Sequence, residues 1–224
     1  MQMVSLRRRA IKQINEIQNL PSGYTECEYI EFLNVNPKLN DCCINTELHG
    51  GLIRYAIEAK MSIYRKKNGY YTLIDANQIG QSGIIVNTQN INEIAFVRYI
   101  GTSRIQDIIS DSERIFEIST LERKIIVDNV QKGIIDISSK VDTTRGLLLF
   151  GTYSGSAFNA SGRIYYLKIY DDFNGEVLLR NYIPALDERG IPCLYDLISE
   201  KAFYNAGTGE LKYVIKSWLR KEMV

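Results

Sequence analysis

Between residues 21 and 212 the chain alternates apolar and polar positions with a period of two, in short runs broken by polar turns. The clearest run is Ile53–Arg65. Ile53, Tyr55, Ile57, Ala59, Met61 and Ile63 fall on one face, and Arg54, Glu58, Lys60 and Ser62 on the other. A strand shows this pattern when one face is buried and the other meets water. Lys67-Asn68-Gly69 then predicts a hairpin turn, since Asn-Gly is the strongest short hairpin signal, and Tyr70–Asp75 is the return strand. Further β-like runs are Gly83–Asn87, Glu93–Ile100, Arg114–Ser119, Arg123–Asp128, Gly133–Ile137, Gly146–Gly151, Arg163–Asp171, Glu176–Ile183 and Glu210–Ile215. Strands of this length with short polar turns predict an antiparallel sandwich or barrel. There is no βαβ alternation, GxGxxG or phosphate-binding loop, and no repeat at solenoid or propeller spacing.

The two ends read differently. Ser5 is a candidate N-cap, and Leu6, Ala10, Ile14 and Ile17 recur at helical spacing until Pro21-Ser22-Gly23. Arg7, Arg8 and Arg9 occupy the first turn, where the helix dipole disfavours positive charge. That placement points to an acidic partner; packing of the stripe on its own domain is the plainer alternative. At the other end, Leu211, Ile215, Trp218, Leu219 and Met223 fall on one helical face. Trp218 beside Arg220 has the composition of a protein–protein contact, and folding back on the sandwich is an equal alternative. The expected organisation is a helical anchoring segment over 1–20, a β-sandwich over 21–212 and a C-terminal extension over 213–224. The partner-binding candidates are Leu6, Arg7, Arg8, Arg9, Ile14, Ile17, Trp218 and Arg220.

Composition narrows the function. The chain has 224 residues, 45% of them apolar and 24% charged, with 27 Lys and Arg against 26 Asp and Glu. A globular domain is expected, and the balanced charge argues against a nucleic-acid binder. No run reaches the roughly 18 apolar residues of a membrane-spanning helix. The N-terminus lacks the apolar stretch of a signal peptide, so folding in a reducing cytoplasm is expected. The one histidine, His49, argues against a Ser-His-Asp triad and against histidine-based metal sites. Cys27, Cys42, Cys43 and Cys193 contain no CxxC pair and read as buried thiols.

The most distinctive stretch is C-terminal: Gly162-Arg-Ile-Tyr-Tyr-Leu-Lys-Ile-Tyr-Asp171, Gly175-Glu-Val-Leu-Leu-Arg180, Tyr182-Ile-Pro184, Leu194-Tyr-Asp196 and Phe203-Tyr-Asn-Ala-Gly-Thr-Gly209. Upstream stand Leu20-Pro-Ser-Gly-Tyr-Thr-Glu-Cys-Glu-Tyr-Ile-Glu31 and Ile44-Asn-Thr46. This ordered series resembles the concanavalin A-like (laminin-G-like) domain of bacteriophage and prophage structural proteins, over about residues 20–210. The resemblance implies a two-sheet antiparallel jelly roll. It also implies a virion component, on a capsid, head fibre or tail, made in the host cytoplasm and held to other virion proteins through its ends. A homo-oligomer and host-surface glycans are the further partners it suggests. The residues have a local account as well. Tyr166 and Tyr170 alternate with Leu167 and Ile169, predicting a central strand covered on both faces. Pro184 is expected to end a strand, and Gly207-Thr-Gly209 to make a turn at positive φ.

Catalytic chemistry finds little support. Glycoside hydrolysis needs two carboxylates about 5–10 Å apart. Glu26 with Glu28, and Glu113 with Glu117, share faces but read as solvated, so a degenerate hydrolase is a distant reading. Calcium would draw on Asp171, Asp172 and Asn174 or on Asp107 and Asp111, without ordered ligand spacing, so no cofactor is expected. Carbohydrate binding is the stronger alternative, as a stand-alone lectin module. Tyr70, Tyr71, Tyr153, Phe158 and Asn159 are its candidates, because aromatic rings on loops stack on sugars, although most tyrosines in such a chain serve the core.

Overall fold

The computed structural model describes residues 20–34, 41–49, 56–63, 70–75, 82–87, 93–98, 102–105, 114–119, 122, 124–134, 146–151, 158–171 and 175–216. The candidate partner residues Leu6, Arg7, Arg8, Arg9, Ile14, Ile17, Trp218 and Arg220 lie outside these residues, as does the Lys67-Asn68-Gly69 turn.

The strands, in chain order, are β1 (Thr25–Phe32), β2 (Ile44–His49), β3 (Ala56–Ile63), β4 (Tyr70–Asp75), β5 (Ser82–Asn87), β6 (Glu93–Arg98), β7 (Thr102–Ile105), β8 (Arg114–Ser119) and β9 (Lys124–Val127). They continue as β10 (Val130–Ile134), β11 (Gly146–Leu149), β12 (Phe158–Asn159), β13 (Gly162–Tyr170), β14 (Leu178–Leu186), β15 (Pro192–Asp196), β16 (Lys201–Phe203) and β17 (Lys212–Ile215). The larger sheet runs β10-β9-β8-β3-β13-β1-β14-β15-β16, with β17 on β1; the smaller runs β2-β11-β4-β5-β6-β7, with β12 on β4. Apart from the short β12–β4 contact, the described pairings are antiparallel. The protein is a two-sheet antiparallel β-sandwich, and the chain passes repeatedly from one sheet to the other.

Alternation explains the core. Ile57, Ala59, Met61 and Ile63 on β3 are buried, as their spacing predicts. Beside them lie Phe116 and Ile118 of β8 and Ile164, Leu167 and Ile169 of β13. Across the gap the smaller sheet contributes Ile44, Leu73, Ile74, Leu147 and Leu149 to the same cluster. A second, smaller cluster forms on the reverse of β14 and β15, where Ala185, Cys193, Tyr195 and Leu197 are covered by Leu20 and Tyr24. The Tyr24 and Tyr195 rings sit 4.6 Å apart there. All four cysteines are buried and unbridged. Burial, with the Glu26 charge second, pushes the Cys27 thiol up to about 12; burial likewise takes Cys193 to about 12 and Cys43 to about 11.

The quoted motifs turn out to be joints of the sandwich. Asn205 Oδ1 accepts from the backbone N–H of Cys43 and Gly207, while its Nδ2 donates to the carbonyls of Asp41 and Gly209. Neither Gly207 nor Gly209 adopts the expected positive φ. Gly209 is required by space instead, since a Cβ there would lie 2.9 Å from the Asp41 carbonyl oxygen and 3.0 Å from Cys42 Sγ. A Cβ on Gly162 would overlap the Ser62 carbonyl on β3.

Other expectations change as well. Pro184 does not end a strand; it lies within β14, opposite Leu194 of β15. Residues 178–182 of β14 pair with β13, and Ala185 and Leu186 pair with β1. The missing N–H therefore falls where the strand changes neighbours and no ladder bond is lost. Tyr213 and Ile215 lie on β17 against β1, as the strand reading of Glu210–Ile215 predicts, and not in a helical tail. The strands β1, β2, β7, β12, β15 and β16, too short or too mixed to show a period, escape the sequence reading.

The β14–β15 hairpin carries an acid-sensitive link. The Asp187 carboxylate accepts from the backbone N–H of Arg189 and Ile191, both at 2.9 Å, from the Arg189 guanidinium and from Tyr204 Oη. Loss of solvent favours the protonated form, but the hydrogen bonds from Ile191, Arg189 and Tyr204 outweigh it and hold the pKa at about 2, below the ordinary 3.8. The stabilisation is therefore present above about pH 4 and lost as pH falls towards 2. Asp187→Asn should be less stable than the parent at pH 6 and match it near pH 2, as read from urea midpoints. A stability gap that persists unchanged at low pH would show that the link does not depend on ionisation.

Candidate functional site

The outer face of the larger sheet around β3 and β13 holds the most distinctive side-chain arrangement outside the core. Its origin is a β-bulge. Ile164 pairs with Met61 and Tyr166 with Lys60, so Tyr165 is an extra residue on β13. A bulge re-aims side chains and breaks alternation. Ile164, Leu167 and Ile169 consequently all reach the core, while the adjacent Tyr165 and Tyr166 both turn outward. The sequence alone predicts these tyrosines on opposite, covered faces. Instead Tyr166 is 37% exposed, while Tyr165 is half-buried beside it.

The neighbours form a connected set. The Tyr165 ring meets the Tyr29 ring edge-on at 5.5 Å, and Lys60 Nζ stands 5.7 Å above the Tyr165 ring. The Arg163 guanidinium lies 4.3 Å from the Tyr29 centroid, and its Nε donates to Glu31 Oε1 at 3.2 Å. Lys60 pairs with Glu117 at 3.3 Å. Tyr170 Oη donates to Glu58 Oε2 at 2.7 Å, and Lys168 sits opposite Glu58 in the ladder. Burial, then the Glu117 and Glu58 charges, raises the pKa of Tyr166; burial, then the bond to Glu58, raises that of Tyr170. Both phenols therefore remain hydrogen-bond donors at neutral pH.

Such a face combines flat amphipathic rings with fixed donors and acceptors. That is the equipment for holding a polyhydroxylated ring: the ring's C–H face stacks on an aromatic, and its hydroxyls exchange hydrogen bonds with the flanking charges.

The residues singled out by sequence sit elsewhere. Tyr70 and Tyr71 are on β4 and Phe158 is on β12, in the other sheet. Asn159 is buried at 1% exposure, a position closed to a bulky ligand. Tyr153, Asp107, Asp111, Glu113, Asp172 and Asn174 lie outside the described residues. Glu26 is ion-paired with Lys216, Glu28 is exposed, and Glu117 belongs to the tyrosine face through Lys60. Tyr29, Tyr165, Tyr166 and Tyr170 were hidden from a period-two reading because the bulge leaves no mark in it. The consecutive tyrosines at 165 and 166 were the available signal.

No family model matches the sequence, and no curated protein matches it. Solved structures with a similar fold include a heptameric SAP-like pentraxin from Limulus polyphemus, 12% identical, with a TM-score of 0.47 over 84% of this chain and 95% of that one. A Bacteroides ovatus protein named for carbohydrate binding is 11% identical, with a TM-score of 0.47 over 85% of this chain and 60% of its own. The CBM40 of Ruminococcus gnavus IT-sialidase, bound to α2,6-sialyllactose, is 12% identical, with a TM-score of 0.39 over 66% of this chain and 92% of that one. Likeness at this level says nothing about ligands.

Proposed function

We propose that this chain is a carbohydrate-binding module that acts without catalysis, and that its sugar surface is the outer face of β3 and β13. One observation carries the reading: the bulge at Tyr165 turns two consecutive tyrosines outward, beside Tyr29 and among carboxylates and cations already held in place. A face ordered before the ligand arrives loses little conformational entropy on binding.

Tyr166→Ala tests this. On an array of host-surface glycans followed by calorimetry, the variant should bind its best glycan about tenfold more weakly, equivalent to ~1.4 kcal/mol. Its melting temperature should stay close to that of the parent, since the ring is more than a third exposed. Unaltered affinity at an unaltered melting temperature would remove the face from the binding site.

The motif series favours a setting for this module. In that second reading it is displayed on a phage particle, with residues 1–20 and 213–224 holding it to other virion proteins. Crosslinking within the assembled particle tests it: the two end segments should account for the crosslinks to other virion proteins, and the tyrosine face should contribute none.

A further inference from the structure

The cations of the tyrosine face lie beside carboxylates of neighbouring strands. Resting on the carbohydrate reading above, we infer that the ligand is a neutral glycan, and that sialylated or uronic-acid glycans are disfavoured. Around Tyr165 stand the cations Lys60, Arg163 and Lys168 and the carboxylates Glu31, Glu58 and Glu117, and at the β17 edge Lys212 stands opposite Glu31. Lys60 is held by Glu117 at 3.3 Å, and Arg163 by Glu31 at 3.2 Å. Lys168 stands opposite Glu58 across the β13–β3 ladder, and Glu58 also takes the Tyr170 hydroxyl. Each cation thus faces a carboxylate from a neighbouring strand.

An acidic sugar brings its own carboxylate. Set against Lys60 or Arg163, that carboxylate lies close to Glu117 or Glu31, a second negative charge on the same cation. A neutral sugar has no such conflict. Its hydroxyls can donate to the free oxygens of Glu58 and Glu117 and accept from Lys60 without separating any pair. Tyr165 and Tyr166 supply apolar area for either class, so discrimination falls to the charges.

The experiment uses the full chain on an array of neutral oligosaccharides and their sialylated or uronic-acid counterparts, followed by titration of the best pair at low and high salt. The expected result is at least tenfold preference for the neutral member, with an affinity little changed by salt. Glu117→Gln, which releases Lys60, should then narrow that preference severalfold by improving the acidic member. Tighter binding of the acidic member by the parent chain, weakening as salt rises, would overturn the charge inference and leave the carbohydrate reading standing. A neutral preference that Glu117→Gln leaves unmoved in a folded protein would also overturn it, by showing that the pair does not set selectivity. Silence across both classes would overturn the carbohydrate reading, and the inference with it.

Discussion

Replacing Asn34 by alanine is expected to destabilise the sandwich by about 3–5 kcal/mol, several times the effect of an ordinary surface change. Asn34 is fully buried just beyond β1. Its Nδ2 donates to the carbonyls of Cys42, Phe150 and Ala160 at 3.1, 3.2 and 2.6 Å, and its Oδ1 accepts from the Cys42 N–H at 2.8 Å. One side chain thus joins the segments leading into β2, out of β11 and into β13. Phe32, two residues earlier, stacks on Phe150 at 4.4 Å between centroids, so the polar joint and an aromatic pair are built from the same segments. Alanine leaves the Cys42 N–H and three carbonyls short of partners where water does not reach, and such groups cost about 1–3 kcal/mol each before relaxation. Urea denaturation measures the loss. Asn34→Asp sharpens the test. It sets a carboxylate against three carbonyl oxygens, so its folded-state pKa is raised, and it should be less stable than the alanine variant at pH 7 but recover as pH falls and the acid protonates. A loss under 1 kcal/mol for Asn34→Ala would mean the strand ends hold themselves in place.

Asp196→Ala is expected to cost a similar amount, about 3–5 kcal/mol, and to lower the melting temperature by about 10 °C. Asp196 is fully buried at the end of β15. Its carboxylate accepts from the backbone N–H of Asn181, Ile198 and Ser199 and from the Ser199 hydroxyl, at 2.7, 3.2, 3.1 and 2.6 Å. It also faces Arg180 Nε at 3.5 Å. Truncation strands the donors of the turn into β16 and leaves a mostly buried guanidinium without its counter-charge. Breaking one side of such a pair costs more than removing both. Asp196→Ala combined with Arg180→Met should therefore be more stable than Asp196→Ala alone, and calorimetric melting of the set provides the comparison. If the double variant is no better, the loss comes from the turn donors rather than the guanidinium.

The sandwich was legible where its strands obey one rule throughout. On β3, Ile57 to Ile63 alternate with Glu58 and Lys60, and burial follows that alternation apart from Ser62, which is buried under its neighbours. The Leu-Tyr-Asp and Phe-Tyr-Asn-Ala-Gly-Thr-Gly segments marked the fold because Asp196, Asn205 and Gly209 are demanded by joints, which constrain residue type more tightly than a strand does. The candidate site was not legible. Its members come from β1, β3, β8 and β13, far apart in the chain, and they meet only through register. Aromatic residues in loops were the natural place to look for sugar contacts, whereas the aromatic face here is strand-borne. Pro184 misled for a related reason: its meaning depends on which strand lies beside it, and β14 changes neighbours at that residue.

The bulge on β13 also makes surface chemistry a matter of chain length. Ile164 and Leu167 both reach the core only because one residue more than a regular strand allows separates them. Losing the codon for Tyr165 would restore strict alternation, and the tyrosine pair would vanish with the core composition intact. Gaining one codon in a plain strand would do the reverse. Sandwiches built on this plan can thus acquire or shed an aromatic face by a three-nucleotide insertion or deletion, a route that no count of point substitutions records.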